Sequence, residues 1–185
     1  MRKLIYSIGV SLDGYIADRD GHFDWAVPNE EMHGFHNQQM AELGGQLCGR
    51  RLYETLRPWD DVDEQSARSE TMLEFAEAWK ATPKFVFSTT LDEVGPNATL
   101  VRGDAVEEVT RLKEESGAPL AVGGAGLAAS LVRAGLVDEY GLFVNPTLVG
   151  GGIAFFPPLE DKLELELLET RTFGSRVVYL RYTSA

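Results

Sequence analysis

Leu120-Ala121-Val122-Gly123-Gly124-Ala125-Gly126-Leu127-Ala128-Ala129 joins a short apolar run to a run of helix formers through a glycine-rich turn. A strand that passes through glycines into a helix is the junction of an α/β unit. Glycines at such a junction let backbone N–H groups approach a phosphate, and the helix N-terminus adds partial positive charge. Gly124 to Ala129 fits the relaxed G-x-G-x-x-G/A dinucleotide pattern, but its setting is unusual. The cluster sits late in the chain, and Asp138 and Glu139 follow too soon to grip a ribose. A tight turn without a ligand therefore stays open as the other reading. No G-x-x-x-x-G-K-[ST] stretch occurs, which removes a P-loop NTPase.

Upstream of this turn, apolar runs and amphipathic segments alternate. Lys3 to Leu12 is predicted as a buried strand, closed by Asp13-Gly14. Asn29 can cap a helix that runs to about Leu43, where Gly44-Gly45 stops it. Gln46 to Cys48 is a minimal strand, followed by a short helix from Arg50 to Leu56 that Pro58 ends. Met72, Ala76 and Trp79 share one face of a helix expected over Ser66 to Lys80. Lys84 to Ser88 and Thr99 to Arg102 read as strands, and Asp104 with Glu107 caps a helix ending before Gly117. After the glycine turn a helix is expected from Leu127 to Arg133. Glu139 to Asn145, Lys162 to Thr172 and Arg176 to Thr183 then read as consecutive strands, the last two forming a hairpin. This order predicts an α/β domain over residues 1–185, with a mostly parallel sheet and an antiparallel C-terminal edge.

Composition narrows the function classes. Seventeen basic against 29 acidic residues give a net charge of −12, which argues against a nucleic-acid or anionic-membrane binder. A local basic pocket for a small anion remains compatible with it. The single cysteine, Cys48, cannot bridge within the chain, so a reducing compartment is expected. No stretch approaches a membrane span, and Tyr6, Ser7 and Gly9 interrupt the N-terminal apolar run. A cytoplasmic protein is expected.

Arg50 and Arg51 stand at the start of a helix, where cations oppose the macrodipole. Guanidinium groups placed there suit a phosphate, with pairing to nearby carboxylates as the alternative. Two phosphate-suited sites in one α/β domain fit NADP(H) better than NAD(H). His33 and His36 are spaced i, i+3, but no third metal ligand can be placed beside them. Asp18, Asp20 and Asp24 resemble part of a calcium loop without its twelfth-position Glu, which favours a solvated turn. Glu31 and Phe35 lie one helical turn apart. They could hold a flat heterocycle, or they could be a dipole-favoured Glu beside a core Phe.

Five motifs in order carry a wider resemblance. Val10 to Ala17 (VSLDGYIA), Gly49 to Glu54 (GRRLYE), Phe85 to Leu91 (FVFSTTL), Val122 to Leu127 (VGGAGL) and Asn145 to Gly152 (NPTLVGGG) resemble the dihydrofolate-reductase-like superfamily. Within it the chain is most similar to the C-terminal reductase domain of the bifunctional riboflavin-biosynthesis deaminase-reductase. The resemblance implies a central, mostly parallel sheet flanked by helices on both faces, NADPH as cofactor, a small heterocyclic substrate and a homodimer. It implies that Gly9, Ile16 and Ala17 line the nicotinamide and that Gly49, Arg50, Arg51 and Leu52 meet phosphates. Ser88, Thr89 and Arg102 would lie near the adenosine end, and Gly123, Gly124, Ala125, Gly126 and Leu127 would contact the pyrophosphate. Leu52 stands where the family usually has Thr, which predicts weaker phosphate binding. Asp13 and Glu31 are the candidates for orienting or protonating the substrate. The implied activity is hydride transfer to a pteridine-like or ribosylamino-pyrimidine compound, of the 5-amino-6-(5-phosphoribosylamino)uracil reductase type. The alternative is a non-catalytic nucleotide- or flavin-binding module on the same fold.

Overall fold

Alternating apolar runs and capped helices fold into one eight-stranded sheet with helices on both faces. The computed structural model describes residues 1–185. Its strands are β1 (Leu4–Ser11), β2 (Tyr15–Ala17), β3 (Gly45–Gly49), β4 (Lys84–Phe87), β5 (Ala98–Val101), β6 (Leu120–Gly123), β7 (Glu139–Asn145), β8 (Ile153–Ala154), β9 (Leu165–Thr172) and β10 (Val178–Ser184). The α-helices are α1 (Glu30–Ala41), α2 (Arg50–Leu56), α3 (Glu70–Ala81), α4 (Ala105–Glu114) and α5 (Ala125–Arg133). The large sheet runs β5-β4-β3-β6-β1-β7-β10-β9. Neighbours from β5 to β7 are parallel, whereas β10 is antiparallel to both β7 and β9.

Side-chain alternation along the strands divides the core. Leu4, Tyr6 and Val10 of β1 face α4 and α5, where they meet Val109, Leu112, Ala128 and Leu131. On the opposite face Phe143 and Tyr179 pack with Met32 of α1, while Cys48 and Val86 pack with Tyr53 of α2 and Trp79 of α3. Three helices start on side-chain caps, each a contribution of about 1 kcal/mol. Asn29 accepts from Met32 N–H, Ser69 from Met72 N–H, and Asp104 from the N–H groups of Val106 and Glu107.

Several boundaries differ from the sequence expectation, each for a local reason. The helix expected from Ser66 starts at Glu70, because Ser69 caps it and Ser66 is held in a turn by Asp63. Pro58 does not end the chain's winding but sits in the first turn of a 3-10 segment, Arg57–Asp61, where its missing N–H is not needed. Helix α5 begins at Ala125, two residues before Leu127, since Gly124 serves as its N-cap. The segment Lys162 to Glu164 lies outside β9. The short β2–β8 pair, Tyr15 with Ala154 and Ala17 with Ile153, has no counterpart in the strands the sequence predicts.

His33 and His36 turn to aromatic neighbours. The His36 ring lies 4.3 Å from Phe143, and His33 lies against Phe75 at 5.5 Å. Burial, aided by the charge of His33, pushes the His36 imidazole down to about 4. A histidine depressed by folding stabilises the native state above its unfolded value near 6.5, and that stabilisation drains away as pH falls from there toward 4. The full effect is up to about 3 kcal/mol. Urea unfolding of the wild type should therefore weaken between pH 6.5 and 4.5, and His36→Phe should flatten that slope. An unchanged slope in the variant would remove His36 as its origin.

Candidate cofactor and active site

Crossovers in a parallel sheet leave helix N-termini at the C-terminal ends of the strands, which is where ligands bind in open α/β sheets. Here β3 runs through Gly49 into α2, and its neighbour β6 runs through Gly123 and Gly124 into α5. Cys48 pairs with Gly123 in that register, so the two helix starts open side by side. Gly124 has φ +97°, and a Cβ there would lie 3.3 Å from Gly49 N and 3.4 Å from Gly49 Cα. Glycine is demanded twice over, by conformation and by space. Neither helix has a side-chain cap, unlike α1, α3 and α4. A helix start without such a cap is suited to an anion.

Beside these turns lies a cavity of about 360 Å³ lined by Arg50, Phe87, Ser88, Thr89, Val101, Arg102, Gly103 and Ala105. Its charged lining is two arginines and no carboxylate, in a chain of net charge −12. Arg50 makes only a loose contact with Glu54, at 3.9 Å with both side chains about half exposed, so its charge is available. The Arg102 guanidinium donates to the carbonyls of Thr89 and Leu91 at 3.2 and 2.6 Å, while Ser88 Oγ accepts from the Thr90 and Leu91 N–H groups. Arg102 and Ser88 thus shape the turn that walls the cavity. Arg51, next to Arg50, is exposed and does not line it.

The other expected residues fall around the same end of the sheet. Leu52 Cδ2 covers the position a Cβ would take at Gly123, so the leucine caps the glycine turn with apolar surface. Gly126 is exposed in the first turn of α5, and Leu127 packs toward the core. Gly9 lies on the face opposite α4 and α5, where a Cβ would sit 3.1 Å from Ala26 Cβ. Ile16 and Ala17 belong to β2, joined to β8 by the pairing of Ala17 with Ile153.

Both candidate carboxylates are engaged. Asp13 accepts from Ser11 Oγ at 2.6 Å and from the N–H groups of Val149 at 3.2 Å and Gly150 at 2.7 Å. The Ser11 hydroxyl, with those N–H groups, holds it below the usual carboxylate range. Glu31 accepts from Gly174 N–H at 2.9 Å and from Arg171 at 3.3 Å, so it ties α1 to the β9–β10 hairpin. Phe35 packs in the same corner, with its ring 5.5 Å from Phe173 and 5.2 Å from Tyr179. The sequence reading missed Arg19, which donates to the Gly150 carbonyl, and assigned no role to Gly150, Gly151 and Gly152 although their run was visible.

The sequence model of the RibD C-terminal domain matches residues 2–179. The chain belongs to that family. A RibD C-terminal domain is therefore the unit that carries the paired glycine turns and the arginine cavity. Uncharacterized protein YyaP of Bacillus subtilis (strain 168) is 30% identical over 182 residues, covering 98% of this chain and 94% of YyaP. A solved protein of Shewanella sp. PV-4, named for riboflavin biosynthesis, superposes with a TM-score of 0.76 at 26% identity, covering 100% of this chain and 99% of the other. Dihydrofolate reductase from Enterococcus faecalis, solved with NADP(H) and RAB-propyl, shares the fold with a TM-score of 0.61 at 13% identity, over 98% and 96% of the two chains. The fold of this RibD C-terminal domain is thus dihydrofolate-reductase-like, with a reductase-type architecture. No helix is long and apolar enough to cross a membrane.

Proposed function

We propose that the chain is an NADPH-dependent reductase acting on a C=N or C=O bond of a ribosylamino-pyrimidine or pteridine-like substrate. The observation that carries this reading is the pair of uncapped, glycine-started helices beside a cavity whose only charges are arginines. Gly49, Gly123, Gly124, Ala125 and Gly126 would present N–H groups to the pyrophosphate. Arg50 and Arg102, with Ser88 and Thr89, would take the 2′-phosphate. Bound NADPH supplies the hydride, and the chain binds it, orients it and excludes water. Of the two candidate carboxylates, Glu31 is the one kept for orienting the substrate, because the Asp13 oxygens are taken up by Ser11, Val149 and Gly150.

The engaged carboxylates and the leucine over Gly123 support a second reading, a nucleotide-binding module without turnover. One experiment separates them. NADPH at about 100 times its Kd should add about 2.7 kcal/mol and raise the unfolding midpoint by roughly 5–10 °C, with NADH giving less. Loss of NADPH absorbance with 5-amino-6-(5-phosphoribosylamino)uracil or pterins then marks a reductase. Binding without turnover across that panel would favour the module, and no shift with either nucleotide would sink both.

The homodimer belongs to the same proposal. Edge strand β9 is almost wholly exposed and bares Leu167 and Leu168, each about half accessible, an edge that natural sheets rarely leave open. Sedimentation velocity of the purified chain should give twice the 20.4 kDa monomer mass, and a monomer at micromolar concentration would refute the pairing.

A further inference from the structure

The segments that follow β1 and β7 are laced together across the open end of the sheet. Leu12 N–H donates to the Thr147 carbonyl at 2.8 Å and Phe155 N–H to the Gly14 carbonyl at 3.0 Å, with the β2–β8 pair between. In the middle, the Gly150 peptide is held from both sides. Its N–H donates to Asp13 Oδ2 at 2.7 Å, and its carbonyl accepts from Arg19 at 2.8 Å. Asp13 Oδ1 takes the Val149 N–H and the Ser11 hydroxyl, and Ser11 Oγ accepts in turn from Tyr15 N–H at 2.9 Å. One exposed carboxylate therefore joins the start of β2 to the glycine run.

The glycines are shaped for that contact. Gly150, Gly151 and Gly152 have φ of +71°, +140° and +140°. A Cβ at Gly151 would meet Arg19 Nε at 2.7 Å, and one at Gly152 would strike the backbone of Ala17 and Asp18. The run lies flat against residues 17–19 because it has no side chains. Asp13 itself is exposed and its side-chain hydrogen bonds run to Ser11, Val149 and Gly150, so the order it creates is local to these two segments. An ionised carboxylate with several donors is the stronger kind of hydrogen-bond acceptor, suited to holding a loop that water would otherwise compete for.

We propose that Asp13 is a positioning residue: by fastening the Val149–Gly152 loop to Tyr15–Ala17, it sets the backbone of Ile16 and Ala17 against the reactive end of the cofactor. This rests on the NADPH reading above and on the nicotinamide contact at Ile16 and Ala17 that the family resemblance implies. The phosphate end, built by α2, α5 and the arginine cavity, shares no hydrogen bond with Asp13. The two ends of the ligand should therefore respond differently to its loss.

The test is calorimetric titration of wild type and Asp13→Asn with NADPH and with 2′,5′-ADP, which carries the phosphate end but no nicotinamide. The variant should bind NADPH at least tenfold more weakly and 2′,5′-ADP within about twofold of wild type. Amide exchange over residues 12–17 and 147–155 should quicken together, while α2 and α5 stay unchanged. Equal loss for both ligands would make Asp13 a general structural residue, and unchanged NADPH affinity would remove its role; either overturns the inference. Wild-type protein that binds neither ligand overturns the NADPH reading, and the inference with it. If Asp13→Asn does not fold, Arg19→Met loosens the carbonyl side of the same Gly150 peptide and must show the same selective loss of NADPH.

Discussion

Replacing Arg50 and Arg102 together with alanine should raise the Kd for NADPH about 100-fold and leave that for NADH within about threefold. Hydrogen bonds to a charged group are each worth roughly 1.5–3 kcal/mol, and partial exposure of both guanidiniums puts the pair at the low end of that range. The two arginines line one cavity with Ser88 and Thr89, and no acidic side chain competes for them there. Their single variants should differ in kind. Arg50 contributes charge alone, because its contact with Glu54 is loose. Arg102 also grips the Thr89 and Leu91 carbonyls, so Arg102→Ala should both remove charge and loosen the turn, with faster amide exchange over residues 88–91. Arg51→Ala should change neither Kd by more than about twofold, since Arg51 does not line the cavity. Isothermal titration at matched salt reads all of these. Parallel losses for NADPH and NADH would show that the arginines do not read a 2′-phosphate, and the cofactor proposal would lose its main support.

What could be read from the sequence follows from how far apart the interacting residues lie. Caps are local, so Asn29 and Asp104 could be placed from their neighbours alone. The choice between Ser66 and Ser69 as a helix start could not, because both have capping chemistry and Asp63 decides by holding Ser66 in a turn. The glycine turns were legible because glycine between a strand and a helix has few other uses. Which of Arg50 and Arg51 faces the cavity was not. Adjacent helical residues point about 100° apart, and seven residues of α2 carry too little apolar pattern to set the phase. The partners of Asp13 and Glu31 lie beyond any pattern of spacing. Gly150 is 137 residues from Asp13, and Gly174 is 143 from Glu31. Their polar character suggested chemistry, and only the folded chain shows the loops and hairpin they hold.

The largest change in stability should come from the surroundings of Glu139, and it should come from removing cations rather than the carboxylate. Glu139 opens β7 between β1 and β10 with its side chain wholly inaccessible. Lys3 meets Oε1 at 2.6 Å, and Arg181 meets Oε2 at 2.6 and 2.8 Å. The partners are not buried alike, since their side chains are 60% and 37% exposed. Glu139→Leu therefore leaves two cations that can turn to water, at a cost of under about 2 kcal/mol. Lys3→Ala with Arg181→Ala instead strands a carboxylate away from solvent, which costs about 3–5 kcal/mol. The pH response distinguishes these cases. In the wild type burial raises the carboxyl, but the bonds from Lys3 and Arg181 outweigh it and hold Glu139 below its ordinary value. Its contribution is then present above about 4.5 and is lost as pH falls further. Without the cations burial acts alone and the folded carboxyl rises above the unfolded one. The double variant must then gain stability as pH drops from 7 toward 5, where the native state takes up a proton that the unfolded chain does not yet hold. Urea unfolding at pH 7 and 5 reads both the size and the sign. A double variant that weakens on acidification as the wild type does would mean that water reaches Glu139, and the ion pairs would then add no more than a surface contact.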